Sequence, residues 1–186
     1  MTTSSLMDDA ESRMNKTLDT LKRDINTVRT GRATPSLLDN VLVDYHGVPT
    51  PLNHLATITA PEPRLLVIQP WDKNVVPEIE KGILKSNMGL NPSNDGSLIR
   101  IPMPEPTEER RRDLVKVVKQ HAESAKVALR NIRRDVLDKV KYMERNKELS
   151  QDEAKRNQDQ SQKLTDSYVG QIDAIAEKKQ AEVLEV

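Results

Sequence analysis

The sequence predicts an α+β fold in which an antiparallel bundle of three long helices is interrupted by a small, mostly β domain with one helix. Three observations point there. Apolar residues recur at helical spacing in one stretch near the N-terminus and in two near the C-terminus. All eleven prolines fall between or at the borders of these stretches, from Pro35 to Pro106. The composition is 31% charged but only 2% aromatic, with a single Trp and no Phe, which suits narrow aliphatic seams on elongated helices better than a wide globular core. A length of 186 residues accommodates one ordinary domain or two small ones.

The first helix is predicted from about Ser5 to Val28. Met7, Ala10, Met14, Leu18, Leu21, Ile25 and Val28 are separated by 3, 4, 4, 3, 4 and 3 residues, one face of a helix. The pattern stops at Thr30 and Gly31, and Gly is a natural helix terminator. Proline density then rises and the periodicity changes. Residues 40–45 alternate as a strand does, and His46 and Gly47 form a turn into a second strand from Val48. Residues 56–60 and 64–69 are further strands, and a short helix spans about Val75 to Lys85 with Ile79, Ile83 and Leu84 facing inward. Asn94, Asp95 and Gly96 make a turn that leads into a strand from Ser97 to Ile101.

The helical pattern returns after Pro106. Thr107 offers a capping hydroxyl, and Glu108 and Glu109 complement the helix dipole in the first turn. Leu114, Val118, Ala122, Ala125, Leu129, Ile132, Val136, Val140 and Met143 form an unbroken seam, so roughly 40 residues make a rod of about 60 Å. After a break near Leu149, Ser150 and Glu153 have capping-box spacing. The last seam is weaker: Ala154, Ser161, Leu164, Tyr168, Ile172, Ile175 and Val183. Three such seams satisfy one another as an antiparallel bundle. The chain thus divides into a first helix over 1–30, an inserted domain over 31–104 and two further helices over 105–186. Two stretches connect the inserted domain: Thr30, Gly31 and Arg32 on one side, and Pro102, Met103 and Pro104 on the other. With Gly on one side and Pro on the other, the junction reads as a hinge or as a rigid elbow, since Pro stiffens as readily as it breaks.

Composition narrows the function. The chain has no Cys, which rules out disulfides and thiolate chemistry and fits a reducing compartment. The N-terminus has no basic start followed by an apolar stretch, and no apolar run approaches the roughly 20 residues that cross a bilayer. The expectation is a soluble cytoplasmic protein, bacterial rather than organellar, with no membrane association. His46, His54 and His121 lack metal-ligand spacing, and no phosphate-binding Gly-rich loop or serine elbow is present. No catalytic residue, metal or cofactor is therefore expected, and the protein reads as a non-enzyme.

Charge is more informative. The net charge is zero, yet residues 107–140 carry ten Lys and Arg against six Asp and Glu, whereas residues 150–186 carry five against eight. Lys119, Lys126, Arg130, Arg133 and Arg134 recur at about helical spacing beside the apolar seam, and Arg29 and Arg32 add cations at the junction. Such a stripe either follows a phosphate backbone or is the solvated face of a charged helix. With so few aromatics there is no stacking platform for single-stranded bases, which favours a folded RNA read by shape and backbone. A structural adaptor that displays a small protein-binding domain is the competing reading.

Several stretches in order along the chain resemble ribosome recycling factor: residues 30–39 (TGRATPSLLD), 89–92 (GLNP), 96–102 (GSLIRIP), 107–111 (TEERR) and 130–135 (RNIRRD). The resemblance runs nearly end to end. It implies a three-helix bundle with a β/α/β domain, L-shaped and tRNA-like in outline. It also implies a monomer that binds the large ribosomal subunit through its 23S-type ribosomal RNA. With elongation factor G, whose GTP hydrolysis supplies the energy, such a protein splits the post-termination ribosome and frees it from mRNA. Carried onto this sequence, the family's RNA-contacting arginines are Arg29, Arg110, Arg130 and Arg133, beside which the charge stripe adds Lys126 and Arg134. Residues Thr30–Arg32 and Pro102–Pro104 match the family's interdomain connections.

Overall fold

The computed structural model describes residues 2–28 and 30–185. These residues form two compact units, one made of residues 2–28 and 108–185 and the other of residues 30–107. The first holds three long helices and the second two small antiparallel sheets with a short helix, the α+β arrangement that the sequence predicts.

Helix α1 (Thr3–Thr27) starts where the Thr2 hydroxyl accepts a hydrogen bond from the Ser5 amide at 3.2 Å. That bond satisfies one of the first-turn N–H groups that no helical carbonyl reaches. All seven predicted seam residues are buried, joined by Leu6. The helix ends earlier than Gly31 suggests. Val28 is already extended (φ −72°, ψ 109°), and its amide closes the last turn on the Ile25 carbonyl at 3.1 Å. Gly31 does adopt a left-handed φ of +78°, but in the connection rather than as the helix cap.

Helices α3 (Glu108–Arg145) and α4 (Gln151–Leu184) complete this unit, and each of the three long helices packs against the other two. The α3 seam is buried from Leu114 to Val140, and Met143 is half-buried at its end. In the intervening turn, Lys147 takes a left-handed φ of +60° and the Glu148 amide reaches back to the Met143 carbonyl at 2.9 Å. Ser150 and Glu153 form the predicted capping box, the Ser150 amide donating to the Glu153 carboxylate at 2.9 Å and the Glu153 amide to the Ser150 hydroxyl at 3.2 Å. The Ser150 amide, and then its hydroxyl, hold the Glu153 carboxyl below its ordinary value.

The α4 seam differs in detail from expectation. Its innermost positions include Thr165 and Ala176, while Leu164 and Ile175 lie half-buried along the edge. Small side chains on this face let α4 approach both neighbours closely, and the larger aliphatics seal the flanks. The buried Thr165 hydroxyl donates to the Ser161 carbonyl at 2.8 Å, so it needs no partner from another helix.

In the second unit, β1 (Leu42–Tyr45) and β2 (Val48–Pro51) form a hairpin. Its two-residue turn has left-handed φ at both His46 (+51°) and Gly47 (+82°), the twist that closes a tight hairpin. A separate four-stranded antiparallel sheet has the order β3-β4-β6-β5, from β3 (Ala56–Glu62), β4 (Leu65–Pro70), β5 (Ser93–Asn94) and β6 (Ile99–Pro102). Helix α2 (Val76–Lys85) buries Val76, Ile79 and Ile83, but Leu84 is 58% exposed, contrary to expectation. The buried set is spaced 3 and 4 residues apart, and Leu84 sits about 100° round the helix from Ile83. Gly82 faces inward as well: a Cβ there would lie 2.8 Å from the Leu42 carbonyl oxygen, so α2 comes this near to β1 only because Gly82 has no side chain.

The strand expected from Ser97 begins at Ile99, because residues 95–98 belong to the turn. The Asp95 carboxylate accepts from the Leu98 amide at 2.8 Å, from the Ser97 amide at 3.0 Å and from Arg100 at 3.0 Å. These bonds hold its carboxyl far below the usual range, the Leu98 amide contributing most. The two-residue strand β5, too short to carry a sequence pattern, pairs Ser93 with Arg100 and Asn94 with Ile99.

Candidate nucleic-acid interface

With the α3 seam turned inward, the residues about a quarter-turn away face outward beside α4. Lys126, Arg130, Arg133 and Arg134 stand at i, i+4, i+7 and i+8, so they share one side of the helix. Their environments differ. The Lys126 ammonium meets the Asp173 carboxylate of α4 at 2.6 Å, and its side chain is only 24% exposed. Arg130 is exposed and pairs with Glu123 at 2.9 Å, on the same helix. Arg133 is half-buried and donates to the Gln162 carbonyl oxygen of α4 at 3.0 Å; Gln162 in turn donates to Asp166 at 2.8 Å. Arg134 is exposed and makes no ion pair or hydrogen bond among the described residues.

The arrangement grades the four cations. Lys126 is neutralised in place, and its head already has a strong charge-assisted partner. The ion pair of Arg130 is surface-exposed, worth at most about 1 kcal/mol, so a phosphate can displace Glu123. Arg133 is aimed by an amide rather than cancelled by a carboxylate, and it keeps its charge while losing rotamer freedom. A guanidinium oriented in advance offers forked donors to a phosphate at a smaller ordering cost. The electropositive part of the stripe is therefore Arg130, Arg133 and Arg134, within one and a half turns.

Arg110 stands apart. It is exposed in the first turn of α3, twenty residues before Arg130, which is about 30 Å along the rod and about 160° round it. Any surface that touches both must wrap the helix. Arg29 lies outside the described residues. On the side of α3 that faces α1, Arg13 pairs with Asp135 at 2.8 Å, so that cation is matched by an acid, and the His121 ring lies 3.9 Å from the Asp24 carboxylate.

The partners on α4 escaped the sequence reading. Gln162, Asp166 and Asp173 are spaced 4 and 7 residues apart, one face of a helix, and that spacing is the signal by which they are found. Of the connection residues, Thr30 is buried, Gly31 is half-buried, Arg32 is exposed, and Pro102, Met103 and Pro104 continue from the end of β6. Among the described residues no group of three or more His, Cys, Asp or Glu is placed to hold a metal ion, and no helix is long and apolar enough to cross a membrane.

Comparison with known proteins gives a consistent answer. The family model described as ribosome recycling factor matches residues 21–184. The ribosome-recycling factor of Halothermothrix orenii is 54% identical over 177 residues, covering 95% of this chain and 96% of that protein. That of a Geobacillus species is 54% identical over 181 residues, covering 97% and 98%. Among solved structures, a ribosome recycling factor in solution superposes with a TM-score of 0.69 at 38% identity, covering 99% of this chain and 98% of the other. The T. thermophilus factor, in models of it and E. coli elongation factor G bound to the E. coli post-termination complex, superposes with a TM-score of 0.63 at 48% identity, covering 99% and 100%.

Proposed function

Because the chain belongs to the ribosome recycling factor family, we propose that it acts after translation termination as a soluble cytoplasmic monomer and has no catalytic activity of its own. It binds the large ribosomal subunit through ribosomal RNA. Together with elongation factor G, and with GTP hydrolysed by that partner, it splits the ribosome into subunits and frees it from mRNA. The observation that carries this reading is the cationic stripe on α3: Arg130, Arg133 and Arg134 on a rigid 38-residue helix, with Arg133 oriented by Gln162. A long helix held by two others resists bending, so a load applied at one end reaches an anchor at the other. The relative bound to a post-termination complex alongside elongation factor G supports the same assignment.

In this reading Arg130, Arg133 and Arg134 hold phosphates, Arg29 and Arg110 add contacts away from the stripe, and Lys126 supports it from within its pair with Asp173. The connections through Thr30, Gly31 and Arg32 and through Pro102, Met103 and Pro104 let the inserted unit turn when elongation factor G pushes on it.

Light scattering of post-termination ribosomes is the test. Addition of this protein, elongation factor G and GTP lowers the scattering as subunits separate, and an unchanged signal rejects the proposal. Arg133→Ala weakens binding to the large subunit and reduces the slope of log affinity against log salt by about one, as expected for one lost phosphate contact. Binding that is insensitive to salt and to Arg133→Ala places the anchor elsewhere.

A further inference from the structure

The two connections to the inserted unit are not loose chain. On the incoming side, the Ala33 amide donates to the Pro63 carbonyl at 2.7 Å, and Ala33 is buried in the core of this unit. On the outgoing side, the Met103 amide donates to the Arg64 carbonyl at 2.7 Å, extending the β4–β6 ladder one residue past its last strand pair, Leu65 with Pro102. Pro63 and Arg64 are neighbours at the corner between β3 and β4, so one two-residue corner receives both connections. The Arg64 guanidinium then forms an ion pair with Glu105, further along the outgoing connection. The connections also touch each other: a Cβ on Gly31 would lie 3.4 Å from the ring of Pro106.

We propose that Arg64 is a positioning residue for ribosome splitting: it fastens the outgoing connection to the corner that also holds the incoming one, so that the two turn together as a single hinge. This deepens, and rests on, the reading of the connections as a hinge. Two separate flexible tethers permit swivelling about many axes, and most of a push on the inserted unit is then lost as rotation that the long helices never feel. Two tethers held side by side leave mainly one axis. The backbone bonds at Ala33 and Met103 stop short of Glu105, and the ion pair carries the fastening across Pro104. Neither partner is part of the hydrophobic core; the Arg64 side chain is 38% exposed and that of Glu105 is 67% exposed. The pair is therefore poorly placed to serve stability, since exposed ion pairs contribute little. Its position suits control of direction.

The absence of Cys from the chain lets two spin labels be attached cleanly, through Lys85→Cys on α2 and Lys141→Cys on α3, both at exposed positions. Pulsed electron paramagnetic resonance on the free full-length protein then gives the distribution of distances between the units. Arg64→Ala and Glu105→Gln broaden that distribution, and the exchange Arg64→Glu with Glu105→Arg narrows it again. In the scattering assay the same single changes slow splitting about two- to fivefold, the range that one exposed ion pair spans, and leave binding to the large subunit unchanged. Recovery of rate in the exchanged protein separates an interaction from a folding defect, and Glu105→Gln, at an exposed site, keeps the test open if Arg64→Ala folds poorly. A distribution that is the same in the native protein and in all three variants overturns the proposal. Because the distances are measured without ribosomes, a chain that fails to split ribosomes while its distances respond as described refutes the functional assignment and leaves the clasp standing.

Discussion

In the helical unit the buried side chains recur along three rods of 25, 38 and 34 residues, and the fold is decided by repetition rather than by any one turn. In the inserted unit the longest strand has seven residues, and position after position depends on a local device: a left-handed pair at His46 and Gly47, a missing side chain at Gly82, a carboxylate at Asp95. Repetition tolerates small local errors but loses a great deal when the seam is cut. Local devices have the opposite sensitivity. The difference suits the proposed work, with a stiff rod as the anchor and a compact head that receives a push.

The comparison can be broken most forcefully in the middle of the rod. Leu129 is completely buried on α3, between the basic stripe and the seams of its neighbours. Leu129→Ala costs about 2–5 kcal/mol through lost burial and the cavity left behind. The two units can be followed separately, because Trp71, the only Trp, belongs to the inserted unit, while the long helices dominate the helical circular dichroism. Thermal unfolding followed by circular dichroism moves down sharply, and the Trp71 fluorescence transition moves less. Equal shifts in both signals mean that the units unfold as one and that the contrast is only geometric.

A pair of glycines sharpens it next. Gly82→Ala sets a methyl group 2.8 Å from the Leu42 carbonyl oxygen and 3.3 Å from a Val43 methyl, forcing α2 off the β1–β2 hairpin. The expected cost is about 1–3 kcal/mol, read in the Trp71 transition. Gly170, within α4, has nothing within 4 Å of where its Cβ would stand, so Gly170→Ala stabilises the rod by about 0.5–1 kcal/mol, because Ala is the better helix former and the less flexible unfolded residue. The same substitution then has opposite signs in the two units. A neutral Gly82→Ala means that α2 does not rely on close approach.

This contrast also explains what was legible in advance. The seams of α1 and α3 were readable because a 3.6-residue period repeated over six or more turns has no other physical solution. Gly82 carried no such signal, since its role depends on a strand forty residues earlier in the chain. Leu84 looked core-facing because a ten-residue helix offers too few turns to fix the phase of its apolar face. On α4, Thr165 and Ala176 were passed over for Leu164 and Ile175, because a hydrophobicity pattern favours large side chains and close helix packing favours small ones. At the candidate interface the cations themselves stood out by charge and spacing. Their grading did not, because it depends on Gln162 and Asp173, about thirty to fifty residues further along the chain.

The smallest effect is expected at the Asp95 turn, which stabilises the inserted unit only while its carboxyl is ionised. The carboxyl is held far below its ordinary value of 3.8, chiefly by the Leu98 amide, then by the Ser97 amide and Arg100. A carboxyl whose folded-state value is depressed contributes stability that is fully present above the unfolded-state value. That contribution fades as the pH falls from about 4 toward the folded-state value. The Trp71 transition of the native protein therefore weakens progressively as the medium is acidified below about pH 4. Asp95→Asn removes this part of the pH dependence: the turn is weaker at neutral pH, but the gap between variant and native protein closes as the pH falls. The side chain is 45% exposed, so solvent screening keeps the change modest. A gap that stays constant across that range means that the carboxylate holds the turn by shape alone, and the inserted unit is then less dependent on local charge than the hydrogen bonds around Asp95 imply.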